Sequence, residues 1–323
     1  MLVRAINATF PSGEFGTWQQ CERLLSQALR GVELANQWNT ISPEAARLTH
    51  HVANYLRNRG HFALAEQLYQ QALAQYEAAG QSELREVASC LYQMGDLYLT
   101  LKDYDKTFAF FQRAVAIQEE APGDMRPDLA RTLDTIGEAY YYLEDYAPAE
   151  DYFRRALVLR QDIFGSDHPD TAESLNNIGI LLLKCLRRYD EAEIVFQQVL
   201  AILTKHRGPD HKDVGICMLN LATTYREQGK YEVGKQWYLR TIALWRRILG
   251  EEDTDVAFAL RALAKLYALE GSEQAEATYL QALAIYEKAR GPEHRVTLEV
   301  KRELEELRQA PFRHLASFKG AGE

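Results

Sequence analysis

The sequence predicts an all-α fold, a right-handed α-solenoid of about six helix-turn-helix hairpins with a capping helix at each end. Three observations carry this. A frame led by a small residue recurs at 46, 88, 130, 172, 215 and 257, with steps of 42, 42, 42, 43 and 42 residues. Inside each copy the apolar residues fall at helical spacing, as in Tyr146, Ala149, Phe153, Ala156 and Leu157. No stretch sustains the period-two alternation of a half-buried strand.

Taken in order, residues 1–42 read as a degenerate N-terminal hairpin, because Trp18, Cys21, Glu22, Leu25, Ala28 and Leu29 repeat the second-helix frame seen later. Six hairpins then start near 43, 85, 127, 169, 212 and 254 and continue to 294. Their first helices carry frames such as Ala130, Leu133, Ile136, Gly137, Tyr140 and Ala172, Leu175, Ile178, Gly179, Leu182. Their second helices carry frames such as Tyr189, Ala192, Glu193, Phe196, Val199 and Leu200. Pro43, Pro127 and Pro169 open first helices, where a missing N–H costs nothing. Gly60, Gly229 and Gly271 end them, since glycine tolerates positive φ. Gly95, Gly137 and Gly179, with Ala149, Ala192 and Ala275, mark close approaches that the bulky Tyr and Phe positions fill. The extra residue of the fourth repeat falls near Lys184–Arg188, and the missing one of the sixth near Gly271–Ser272, both at turns. Residues 295–309 form an amphipathic, highly charged capping helix, and 310–323 an aperiodic tail expected to be flexible.

Composition excludes several classes. With 37 Lys plus Arg against 46 Asp plus Glu, the 323-residue chain carries a net charge of −9, so a phosphate-binding basic face is not expected. The longest aliphatic run, Ile178–Leu183, is too short for a membrane span, and the first ten residues lack the pattern of a signal peptide. Four scattered cysteines, at 21, 90, 185 and 217, suit reduced thiols, so a cytoplasmic location is expected.

The frame resembles the tetratricopeptide repeat, in the 42-residue form of kinesin light chains. The loops Phe164-Gly-Ser-Asp-His168-Pro169, Arg207-Gly-Pro-Asp-His211 and Arg290-Gly-Pro-Glu-His294 match that form's inter-repeat loop. The stretch from Phe10 to Leu25 resembles the start of the C-terminal repeat array of bacterial NB-ARC (STAND) signalling NTPases. No Gly-x-x-x-x-Gly-Lys-Ser/Thr motif is present, so the resemblance implies a sensor domain rather than the ATPase.

In that family the first helices line a concave groove that holds a protein or peptide segment. Carried onto this chain, positions two, five, nine and twelve from each leading residue are the expected solvent-facing set. They include Arg47, His50, Asn54, Arg57, Tyr92, Asp96, Arg131, Asp134, Glu138, Tyr141, Asn176, Arg226, Arg261 and Lys265, with Ile216 and Phe258 among the apolar members. Asn177 and Asn220 stand at the sixth position, where the family uses an amide to grip a peptide backbone; bonding across neighbouring helices is the alternative. From Arg85 to His168 the chain has 16 acids and 9 bases, so a partner with a basic or amphipathic centre is expected there.

No catalysis, cofactor or metal is expected. His168, His211 and His294 lie a whole repeat apart, on the order of 10 Å, too far to share an ion with ligands near 2 Å, and suit helix-start hydrogen bonding instead. His50 and His51 point about 100° apart on a helix. Cys21, Cys90 and Cys217 adjoin core positions and read as packing thiols. The reading is therefore a non-catalytic recognition module whose partner is a protein or peptide, or the NB-ARC domain of the same parent chain, with no nucleic-acid or membrane partner. The alternative is a stand-alone adaptor or scaffold that self-associates through its convex face or ends.

Overall fold

The computed structural model describes residues 9–11, 15–37, 42–120 and 124–309. The expected flexible tail, 310–323, lies outside the described residues, as do the first eight. Fourteen α-helices follow one another, and no strand occurs among the described residues. A short 3-10 turn, Phe15–Thr17, leads into α1, Trp18–Gln37. Paired helices follow: α2 Pro43–Asn58 with α3 Phe62–Ala79, α4 Leu84–Thr100 with α5 Tyr104–Glu120, and α6 Arg126–Tyr142 with α7 Tyr146–Phe164. Next come α8 Pro169–Leu181 with α9 Tyr189–Arg207, α10 Lys212–Glu227 with α11 Tyr231–Leu249, and α12 Thr254–Leu269 with α13 Gln274–Arg290. The last helix is α14, Arg295–Gln309. Contacts divide the chain into two units, residues 1–163 and 164–323. Within each, hairpins pack on their sequence neighbours, the arrangement of a solenoid.

The helix boundaries follow from side-chain chemistry. Ser42 and Asp253 accept the backbone N–H groups of Ala45 (3.2 Å) and Asp255 (2.8 Å) as N-caps. The three loop histidines do the same work: Nδ1 of His168, His211 and His294 accepts from the N–H of Asp170, Asp213 and Val296 at 3.2, 3.2 and 3.3 Å. First helices end in a 6→1 bond, as His61 N–H to Leu56 C=O and Lys230 N–H to Tyr225 C=O, both 2.9 Å. That closure needs a left-handed residue, and Gly60, Gly229 and Gly271 supply it at φ 82, 76 and 67°. In the other three hairpins Lys102, Glu144 and Arg187 adopt φ 60, 60 and 54° without that freedom, which no sequence signal marked.

The length irregularities resolve at the turns. In the fourth hairpin the added residue is absorbed as a π turn, Leu182–Leu186, that widens the end of the first helix before Arg187 reverses the chain. In the sixth, α13 begins one residue before its leading Ala275, whereas α11 begins three before Gly234. A Cβ on Gly95, Gly137 or Gly179 would lie 2.5, 2.7 and 2.7 Å from the rings of Phe111, Phe153 and Phe196, so these glycines let the aromatic of the second helix lie against the backbone of the first.

Candidate functional site

The first helices carry the expected site, and the structure divides its residues into three groups. The first is consumed by the core. Tyrosines from second helices reach across their own hairpin and spend their hydroxyls on first-helix polar groups. Tyr69 donates to Asn54 Oδ1 at 2.7 Å, and Tyr76 OH lies 3.5 Å from His50 Nδ1. In the second unit Tyr238 OH bonds Thr223 Oγ1 at 3.0 Å. His50 is therefore not solvent-facing as expected: it is 4% exposed, edge-on to the rings of Tyr69 and Tyr76. Burial, and then the neighbouring His51 and Arg57 charges, pull its pKa from 6.5 to about 3, so the ring is neutral.

Asp134 is corrected in the same way. It is 5% exposed, and its carboxylate pairs at 2.9 Å with Arg160 of α7, itself buried. A charge this deep is held by its partner rather than by water.

The second group is neutralised by nearby acids, some on the same helix and some on the next element. Arg57 of α2 pairs with Asp96 of α4. Arg47 lies 3.7 Å from Glu83. The Arg131 guanidinium sits 4.7 Å from the centre of the Tyr92 ring and 2.9 Å from Asp128, while Tyr92 OH bonds Thr135 at 3.2 Å. In the second unit Arg226 pairs with Glu227 at 2.6 Å. Arg261 binds Glu303 through two nitrogens, 2.5 and 2.9 Å, and Glu299 at 3.3 Å, and Lys265 adds a 2.8 Å contact to Glu303. Burial raises the Glu303 pKa, but these two cations more than offset it and hold the carboxyl below its ordinary range. The sequence reading missed Glu83, Arg160, Glu299 and Glu303 as counter-ions. Glu299 and Glu303 stand 38 and 42 residues beyond Arg261, so opposite charges near one repeat length apart were the available signal.

The third group faces outward with its chemistry less committed. Ile216 of α10 and Phe258 of α12 occupy the same repeat position and are 39% and 50% exposed. Asn176 and Asn177 of α8 and Asn220 of α10 are half-buried, and the Asn220 amide N–H donates to Asn176 Oδ1 at 3.5 Å. That bond is the cross-helix alternative to a peptide grip. In the first unit Glu138 and Tyr141 are half-buried, Tyr141 packing against the rings of Tyr142 and Tyr146.

Two of the thiols are committed to backbone carbonyls. Cys90 and Cys217 are buried and donate to the carbonyls of Tyr69 and Phe196 at 3.4 and 3.2 Å; burial pushes both pKa values up, Cys217 to about 12. Among the described residues no group of three His, Cys, Asp or Glu side chains is placed to hold a metal, and no helix is long and apolar enough to cross a membrane.

A family model described as tetratricopeptide repeat matches residues 44–120, 86–162, 149–205, 181–233 and 213–288. Among curated proteins none matches the chain in sequence. Several solved structures share the fold at low identity. A putative kinesin light chain from Podosopora anserina, with nearly identical TPR-like repeats, superposes with a TM-score of 0.55 at 19% identity over 65% of this chain and 98% of its own. A STAND signal-transduction ATPase with a tetratricopeptide repeat sensor, from Pyrococcus horikoshii, gives 0.67 at 14% identity over 92% of this chain and 42% of its own. The apo form of the quorum sensor NprR from B. thuringiensis gives 0.61 at 16% identity over 83% and 71%.

Proposed function

Because the chain belongs to the tetratricopeptide repeat family, we propose that it is a non-catalytic recognition module that takes a protein or peptide segment on its first-helix faces. The observation that carries this reading is the pairing of exposed apolar and half-buried amide side chains in the second unit. Ile216 and Phe258 stay in water at equivalent positions while the polar residues around them are bonded to one another. Ile216 and Phe258 offer apolar side chains that a partner's own apolar anchor can cover, and an amide supports an extended backbone through both its donor and its acceptor. The role of sensor within a bacterial NB-ARC signalling NTPase is the finer form of the same reading. It is supported by the resemblance near Phe10–Leu25 and by the likeness to the STAND sensor fold.

A comparative capture separates groove from scaffold. The intact chain, an Ile216→Asp/Phe258→Asp variant and a second-helix control, Leu239→Asp, are immobilised and exposed to lysate of the source cell. Bound proteins are quantified by mass spectrometry. The reading expects partners that are lost by the double variant and kept by the control. Equal capture by all three rejects it. Loss with the control alone favours the scaffold reading, in which second-helix faces do the binding.

A further inference from the structure

The turn edge of the first unit carries a different surface. Where α6 meets α7 the chain reads Tyr142-Leu143-Glu144-Asp145, and Tyr142 is 60% exposed with Leu143 also exposed. The equivalent of Leu143 in the preceding hairpin, Leu101, is exposed as well. The equivalents of Tyr142 in the first two hairpins, Asn58 and Thr100, are polar, so an aromatic ring at this point is not required by the turn. The ring packs edge-on against Tyr141, with centroids 5.7 Å apart, and stays largely open to solvent.

The charges beside this ring are also unusual. At the second turn Asp103 accepts the N–H of Lys106 at 3.2 Å and pairs with the Lys106 ammonium at 3.4 Å. The same register at the third turn is Asp145 and Pro148, and proline has neither N–H nor charge. The fourth and fifth turns carry their own pairs, Arg188 with Glu191 at 2.6 Å and Lys230 with Glu193 at 3.0 Å. Among the described residues neither Glu144 nor Asp145 makes a side-chain hydrogen bond or ion pair. Elsewhere this unit lays its own cations over rings, Arg59 on Trp18, Lys106 on Tyr98, Arg131 on Tyr92 and Arg155 on Tyr152. Residues 1–163 hold 15 Lys plus Arg and 22 Asp plus Glu, a balance of −7.

We propose that the exposed ring of Tyr142, together with Leu143, Glu144 and Asp145, which follow it in the same exposed turn, is a docking point for a basic segment of a partner protein. A lysine or arginine stem lies along Leu143 and Tyr142 while its cation faces the ring and is paired by the two carboxylates. The aromatic face selects a cation with an apolar stem over a bare counter-ion, and the missing internal partners leave the carboxylates available to it. This surface lies at the hairpin turns, so it stands or falls independently of the first-helix faces.

The test uses the full chain and the peptide acetyl-(Lys-Gly-Ala)3-amide with a carbodiimide, which joins ammonium to carboxylate only where the two meet. Cross-links are located by peptide mass spectrometry. The expected result is a yield at Glu144 and Asp145 at least fivefold above that at the exposed acids Asp105 and Glu119. Tyr142→Ser lowers that yield at least threefold, and Tyr142→Phe preserves it. Both substitutions are at a half-open surface position, and far-UV circular dichroism confirms that helix content is retained. Yields spread evenly over exposed acids, or an undiminished yield in Tyr142→Ser, overturn the proposal.

Discussion

His50 and Asp134 show how one residue position serves different ends along a repeat. Both occupy the fifth position counted from the leading small residue of their repeat, yet each is buried because its own hairpin supplies a partner, Tyr76 for His50 and Arg160 for Asp134. Two outcomes follow at this scale. His50 has its folded pKa pulled from 6.5 to about 3, so between those values the unfolded chain binds a proton that the folded chain refuses. Stability is thus fully present above pH 6.5 and falls as pH drops toward 3, by roughly 2–3 kcal/mol between pH 7 and 4.5. Urea unfolding at the two pH values checks this, and His50→Leu should shrink the difference by that amount. Asp134→Asn removes the buried carboxylate that the Arg160 guanidinium pairs with at 2.9 Å and should cost about 3–5 kcal/mol. Arg131→Gln, which loses an exposed cation over Tyr92, should cost no more than about 1 kcal/mol. Equal losses from the two in thermal melts would show that Asp134 is not the buried partner described. Charge reversal at Asp134 would therefore report on folding before it reported on any ligand.

At the scale of the hairpin, the sequence was legible wherever a residue has one mechanical role. Pro43 and Pro169 stand at the first residue of α2 and α8, and Gly60, Gly229 and Gly271 at left-handed turns, because backbone geometry admits few other choices. Lys102, Glu144 and Arg187 were not legible, since the closing 6→1 bonds and tertiary packing impose a left-handed backbone on side chains that do not favour it. The close glycines were legible as small residues, but the partner of each, one aromatic on the paired helix, required coordinates. Gly137→Ala places a methyl 2.7 Å from two carbons of the Phe153 ring, and the overpacked pair should lose about 1–3 kcal/mol. In Gly137→Ala/Phe153→Leu the two losses should add to less than their sum, because the smaller side chain removes the clash. Strict additivity in chemical denaturation would mean that the ring and the glycine are energetically independent.

Over the whole chain, the repeat step read from residue numbers reflects the need of each hairpin to cover its neighbour's apolar stripe. It did not locate the self-neutralising ion pairs, which depend on side-chain reach between helices as well as on register. The C-terminal end makes that dependence testable. In α14 the core frame of a first helix is interrupted: Lys301 and Arg308 stand at apolar positions and pair with Glu287 and Glu276 of α13, at 2.8 and 2.7 Å. Thr297, Val300 and Leu304 are still buried, and Glu303 still binds Arg261 and Lys265. The helix thus packs on α12 and α13 with one face and carries charge on the other. Removing residues 292–323 should expose that covered face and leave Arg261 and Lys265 without Glu303. In an array held by nearest-neighbour contacts the damage is local. Amide exchange in α12 and α13 should accelerate at least tenfold, while α2, α4 and α6 keep their protection. Acceleration spread evenly over both units would instead mean that the chain unfolds as one cooperative body, and that the capping role assigned to α14 is wrong.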